Sequence, residues 1–151
     1  MKLEEEIKQH RGFQDEWEKL VLNILFTGNW INGYQHQQLK QYDLTPEQYN
    51  ILRILRGCHP DPASVNLLKD RMLNKMSNAS RLVEKLRLKG LAEREECQDD
   101  RMRVEVVITQ QGIALLQKIE DAELTPAQRF QHLTEEEARQ LNTLLDRFRE
   151  S

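Results

Sequence analysis

The stretch that decides the fold is Ser64-Val-Asn-Leu-Leu-Lys-Asp-Arg-Met-Leu-Asn74-Lys-Met-Ser-Asn-Ala-Ser-Arg-Leu-Val-Glu-Lys-Leu-Arg-Leu-Lys-Gly90. It reads helix, short turn, helix. Ser64 is placed to cap a first helix, Val65 to about Met72, with Val65, Leu68 and Met72 inward. Leu73 and Asn74 are expected to form the turn. The second helix is expected from about Lys75 to Lys89. Met76, Ala79, Leu82, Val83 and Leu86 recur there at helical spacing, which predicts one buried stripe. Lys75, Ser77, Asn78, Arg81 and Lys85 fall off the stripe and are expected to face outward. Gly90 supplies the left-handed position that ends a helix.

The chain after Gly90 changes period. Leu91-Ala-Glu-Arg-Glu-Glu-Cys97 is a short strand candidate, and Gln98 to Arg103 is a polar turn. Val104-Glu-Val-Val-Ile-Thr109 is β-branched and predicts the partner strand. A helix-turn-helix followed at once by a hairpin is the layout of a winged helix. Short polar and basic side chains on the outer face of its second helix suit phosphates and base edges in a DNA major groove. Arg101 and Arg103 sit at the wing tip, placed for a minor groove or phosphate.

Charge supports that reading only when it is mapped. The 151 residues carry a net charge of -3. Residues 66–89 hold seven basic and two acidic side chains, leaving 15 basic against 23 acidic elsewhere. A local basic patch on an acidic body is an electrostatic footprint for a polyanion, although a solvated helix face has the same composition. The start, Met-Lys-Leu-Glu-Glu-Glu, has no apolar segment of the kind a secretory signal needs. The longest apolar run, Leu20 to Phe26, is too short to span a bilayer. A cytoplasmic protein with no membrane association is expected. Cys58 and Cys97 are two cysteines, too few for a disulfide framework, and are read as reduced thiols.

Helices flank this lobe on both sides. Residues 1–11 form a short helical lead-in, which Gly12 interrupts. From Phe13 to Tyr42, Trp17, Leu20, Val21, Ile24, Leu25, Gly28, Ile31, Leu39 and Tyr42 mark one stripe. Phe26 and Trp30 lie partly off it, so the helix is apolar on two sides. That pattern suits one face against the lobe and one against a partner. Thr45-Pro-Glu-Gln48 is a helix start with a capping box, and the helix it opens is expected to stop at Gly57. Thr109 and the Thr-Pro pair at 125–126 open further helices. Thr134 with Glu137 opens the last, with Ala138, Leu141, Leu144, Leu145 and Phe148 on one face. The expected fold is mainly α with a small β-hairpin wing, a winged helix-turn-helix between N- and C-terminal dimerisation helices. The segments are 1–42, 43–112 and 113–151.

Two strings carry a family likeness: Ser80-Arg-Leu-Val-Glu-Lys-Leu-Arg-Leu-Lys-Gly-Leu-Ala-Glu-Arg94 and Asp99-Asp-Arg-Met-Arg-Val-Glu-Val-Val-Ile-Thr-Gln-Gln-Gly112. In this order and separation they resemble the MarR family of bacterial transcription regulators. The second follows the family's wing pattern of an acid, any residue, Arg, six residues, an aliphatic, Thr, two residues and Gly. The resemblance implies an obligate homodimer with two winged lobes on a pseudo-palindromic duplex, acting as a repressor. It implies base-edge positions for Ser77, Asn78, Ser80 and Arg81, a wing role for Arg101, and a wing-shaping role for Asp99. Met102 departs from the family, which often has a second arginine there. It also implies a small-molecule effector, bound where the dimer helices meet the lobe. Trp17, Trp30, Tyr34 and Tyr49 are the candidate lining, with plain core as their other reading.

Other functional classes fit the sequence less well. The four histidines are scattered without ligand spacing, so no metal or cofactor is expected. No nucleophile, base or phosphate-loop constellation points to an enzyme. A winged-helix module that binds protein would carry an apolar or acidic second helix, whereas this one is basic and polar. A redox-sensing regulator using Cys97 is the remaining alternative.

Overall fold

The computed structural model describes residues 1–96 and 104–150. The chain runs α1 (Leu3–Glu6), α2 (Glu16–Leu39), a 3₁₀ turn (Lys40–Tyr42), α3 (Pro46–Cys58), β1 (Ala63–Ser64) and α4 (Val65–Arg71). It continues α5 (Ala79–Leu88), β2 (Ala92–Glu96), β3 (Val104–Ile108), α6 (Gln110–Ala122), α7 (Pro126–Arg129) and α8 (Glu135–Phe148). The fold is mainly helical with one small antiparallel sheet, as expected.

Local chemistry sets most of the helix starts. The Thr45, Thr125 and Thr134 side chains each accept from the backbone N–H three residues on, with Gln48, Gln128 and Glu137 reaching back. Ser64 and Thr109 cap α4 and α6 the same way. Each such cap satisfies backbone donors that the helix leaves unpaired. Gly90 takes φ +75° after α5, the left-handed position expected of it. α3 ends at Cys58, one residue beyond the expected stop at Gly57.

The sheet has order β1-β3-β2. Ala92 pairs with Ile108 and Glu96 with Val104 in the hairpin. Ala63 pairs with Val106, so a third strand lies beside the hairpin that the sequence did not announce. Two residues cannot display a period. The strand exists because β3 offers a free edge beside the start of α4.

The core lies inside the lobe. Ile51, Leu52, Leu55, Leu68, Val83, Leu86, Val106 and Leu116 are essentially inaccessible to solvent. They come from α3, α4, α5, β3 and α6, so α6 continues the lobe's core beyond residue 112. Arg56 of α3 pairs with Glu120 of α6 at the edge of that core. The guanidinium holds the Glu120 carboxyl below the usual carboxylate range.

The flanking helices are packed differently. Of the 24 residues of α2, only Leu39 is buried. No residue of α8 is buried, and Leu141, Leu144 and Phe148 are exposed. Gly28 and Gly33 of α2 have nothing within 4 Å of where a side chain would start. The apolar faces read from the sequence exist, and among the described residues that of α8 and much of that of α2 stay open to solvent.

Candidate nucleic-acid interface

The second helix of the motif starts later than its apolar spacing suggests. α5 begins at Ala79, not Lys75, and Asn78 is its N-cap. The expectation that Met76 belongs to the buried stripe is wrong: its side chain is 93% exposed. The cause is local. The Asn74 side chain accepts from the Met76 N–H at 3.0 Å, and the Ser77 N–H donates to the Asn74 carbonyl at 3.2 Å. Asparagine and serine offer the backbone turn hydrogen bonds that compete with a helix. The turn therefore covers Met72 to Asn78, where Leu73 and Asn74 alone were expected. Ala79, Val83 and Leu86 are buried as predicted, with Leu82 partly so.

This places the candidate contacts as follows. Lys75 and Ser77 lie in the turn, with the Lys75 ammonium donating to the Asp70 carbonyl. The Asn78 side chain accepts from the Arg81 N–H at 3.1 Å, so in the free chain it caps the helix. Ser80, Arg81 and Lys85 are exposed on α5. Arg81 and Lys85 are four residues apart, which puts them on one helical face. Neither makes a side-chain hydrogen bond or ion pair with the described residues. Arg101 and Arg103, with Asp99, Met102 and Cys97, lie outside the described residues.

Arg87 and Lys89 are engaged, whereas Lys69 of α4 is exposed and makes no side-chain bond with the described residues. Arg87 holds Glu84 at 2.7 and 3.0 Å, and Arg94 of β2 reaches the same carboxylate at 3.4 Å. The Arg87 hydrogen bonds, with Arg94 beyond, keep the Glu84 carboxyl below its ordinary range. Lys89 donates to the Asp43 carbonyl and to Gln48 Oε1, the latter at 3.1 Å. Among the described residues the free charge is therefore narrower than the seven basic residues suggest, and on α5 it centres on Arg81 and Lys85. Lys85 also lines an open cleft with His36 and Lys40, two side chains on or after α2 that the sequence reading did not assign.

The aromatic candidates divide. Tyr34 and Tyr49 line one cavity of about 350 Å³ between α2, α3, the end of α6 and α7. Trp30 does not line it, but its ring meets that of Phe130, a lining residue, edge-on at 6.0 Å between centroids. Trp17 is 75% exposed and joins neither the cavity nor the core. Two arginines complete the cavity and were missed. Arg53 lies one helical turn after Tyr49, with its guanidinium 5.7 Å from that ring centroid. The Arg129 guanidinium lies 3.2 Å from the Tyr34 ring centroid. Spacing from Tyr49 could have flagged Arg53. α7 is too short to give Arg129 any periodic signal.

Among the described residues, no three His, Cys, Asp or Glu side chains are grouped to hold a metal ion. None of the described helices is long and apolar enough to cross a membrane. Cys58 is a half-buried free thiol, with Arg71 Nη1 at 3.7 Å from its sulfur.

Comparison with known proteins places this geometry. The MarR family model matches residues 42–101. AbsC, a MarR family transcriptional regulator from Streptomyces coelicolor, is 22% identical with a TM-score of 0.74, over 92% of this chain and 95% of that one. A MarR transcription factor from Planctomyces limnophilus is 26% identical with a TM-score of 0.64, over 89% and 98%. MepR of S. aureus, solved as a complex with DNA, is 22% identical with a TM-score of 0.73, over 85% and 92%. No curated protein sequence matches the chain. Over its winged-helix lobe this chain matches the MarR family, and its fold is that of MarR-family transcription regulators.

Proposed function

We propose that the protein is a homodimeric, sequence-specific double-stranded DNA-binding transcription regulator that represses by occupying a pseudo-palindromic operator. The observation that carries this reading is the two-sidedness of α5. Its inner face is part of the core, while Arg81 and Lys85 stand on its outer face without a partner among the described residues. A rigid helix with free cations suits the major groove. Arg81 reads a base edge, because a guanidinium can bind guanine O6 and N7 together. Lys85 contacts phosphate, and Ser77 and Ser80 add short polar contacts. Asn78 joins them by giving up part of its cap. Arg101 and Arg103 serve the wing. The likeness to MepR, which has been solved with DNA, supports this assignment.

Residues 1–42 and 113–151 provide the dimer, and 43–112 the DNA-binding lobe, with α6 joining the two. The exposed apolar side chains of α2 and α8 support this. A small-molecule effector binds between α2 and the lobe, in the cavity of Tyr34 and Tyr49, and Trp30 takes part through Phe130. Cavities of this size with a few polar groups are typical of small-ligand sites. A soluble cytoplasmic protein without enzymatic activity fits this role.

A phosphate contact has a distinct thermodynamic signature. Lys85→Ala should weaken binding to all duplexes alike. It should also lower the slope of log affinity against log salt by about one. Fluorescence anisotropy across a salt series measures both. An unchanged slope would remove Lys85 from the interface.

A further inference from the structure

We infer that Met76 is a specificity-determining residue that packs against the 5-methyl group of a thymine in the major groove. The inference rests on the DNA-binding role proposed above. The thymine methyl is the one apolar feature that base pairs present in that groove. Met76 lies two residues before the cap of α5, the end of the helix that enters the groove first. No described large apolar residue within the lobe is more exposed. Leu73, the other exposed apolar side chain of the turn, lines a cleft against α2 and the start of α3. Met76 lines no cleft with them.

The turn that presents Met76 is held at both ends. The Leu73 N–H donates to Asn50 Oδ1 of α3 at 3.0 Å, which ties the turn to the core helix beneath it. The Asn74 side chain then fixes the Met76 backbone. A flexible thioether on a fixed backbone can adjust to a methyl group without disturbing its neighbours. Its surroundings favour a polyanion over an apolar protein partner, because Lys75 and Arg81 flank it in sequence on the basic stretch. The polar groups nearby are short ones, Ser77, Asn78 and Ser80, and the Asn78 amide oxygen is held by the cap in the free chain. An apolar contact supplies discrimination that those groups do not.

The test uses the full chain and a duplex selected from a random pool. Each thymine is replaced in turn by deoxyuracil, which keeps base pairing and removes only the methyl. Wild type should lose about fourfold in affinity at one thymine per half-site, equivalent to ~0.8 kcal/mol. Met76→Ala, which alters both protomers, should lose about the square of that factor, roughly 16-fold, on the unmodified duplex and be indifferent to uracil at those thymines alone. Circular dichroism should be unchanged, because the side chain touches no core. Sensitivity to uracil that is the same in both proteins, or absent from wild type, would overturn the inference while leaving DNA binding intact. Failure of wild type to bind any selected duplex would overturn the DNA-binding reading itself, and this inference with it.

Discussion

A chain ending at Thr134 is expected to be monomeric and to have lost specific DNA binding. The deletion removes all of α8, a helix with no buried residue and with Leu141, Leu144 and Phe148 exposed on its apolar face. Together with Leu145, these side chains gain about half of their full burial when a partner covers them. Over two protomers that is worth roughly 6–12 kcal/mol, a large part of any dimerisation free energy. The lobe's core comes from α3 to α6 and does not include α8, so the truncated chain should still fold. Sedimentation should give the mass of one protomer at micromolar concentration. Affinity for a selected duplex should fall by roughly 10³-fold, toward non-specific binding. A truncated chain that sediments as a dimer would sink the assignment of α8 to the interface.

The second large effect concerns Gly112, the glycine that closes the wing pattern. A Cβ built there would lie 2.4 Å from the Leu91 carbonyl oxygen and 2.7 Å from Ile108 Cγ1. The Leu91 oxygen cannot retreat freely, because it accepts the Thr109 N–H at 3.1 Å and so ties the end of β3 to the start of β2. Gly112→Ala should therefore destabilise the lobe by about 3 kcal/mol, even though alanine is the better helix former. Thermal unfolding should show Tm lower by roughly 6–12 °C. Gly57→Ala is the control. It also lies in a helix but has nothing within 4 Å, and it should leave Tm unchanged or slightly raised. Equal behaviour of the two variants would contradict the close approach at Gly112.

Part of the molecule was legible in sequence. The caps at Thr45, Ser64, Thr109 and Thr134 were readable because capping involves only the next three residues. The core stripes of α3 and α6 were readable because one face of each helix is buried. The start of α5 was not. Met76 lies at helical spacing from Ala79 and Val83, and spacing cannot tell a buried apolar residue from an exposed one. The decision fell to Asn74, Ser77 and Asn78, whose hydrogen bonds favoured a turn over another turn of helix. β1 was invisible because its two residues depend on an edge contributed from forty residues away.

The site was legible in type more than in membership. A basic run was evident, but the sequence could not show that Arg87 and Lys89 are spent on Glu84 and Asp43 while Arg81 and Lys85 have no partner among the described residues. Nor could it separate the aromatics. Tyr34 and Tyr49 line one cavity because α2 packs beside α3, and Trp17, in a first turn whose Lys19 pairs with Glu4 of α1, is left exposed. Arg129 came as a surprise, since its place over Tyr34 depends on where α7 folds back.

The central claim is that two copies of α5 read one face of DNA together. Selection of bound duplexes from a random pool by the full chain tests it most directly. The account predicts a pseudo-palindrome whose half-site centres lie about one helical turn apart, ~34–36 Å. Recovery of a single unpaired half-site, or of no motif at all, would contradict it.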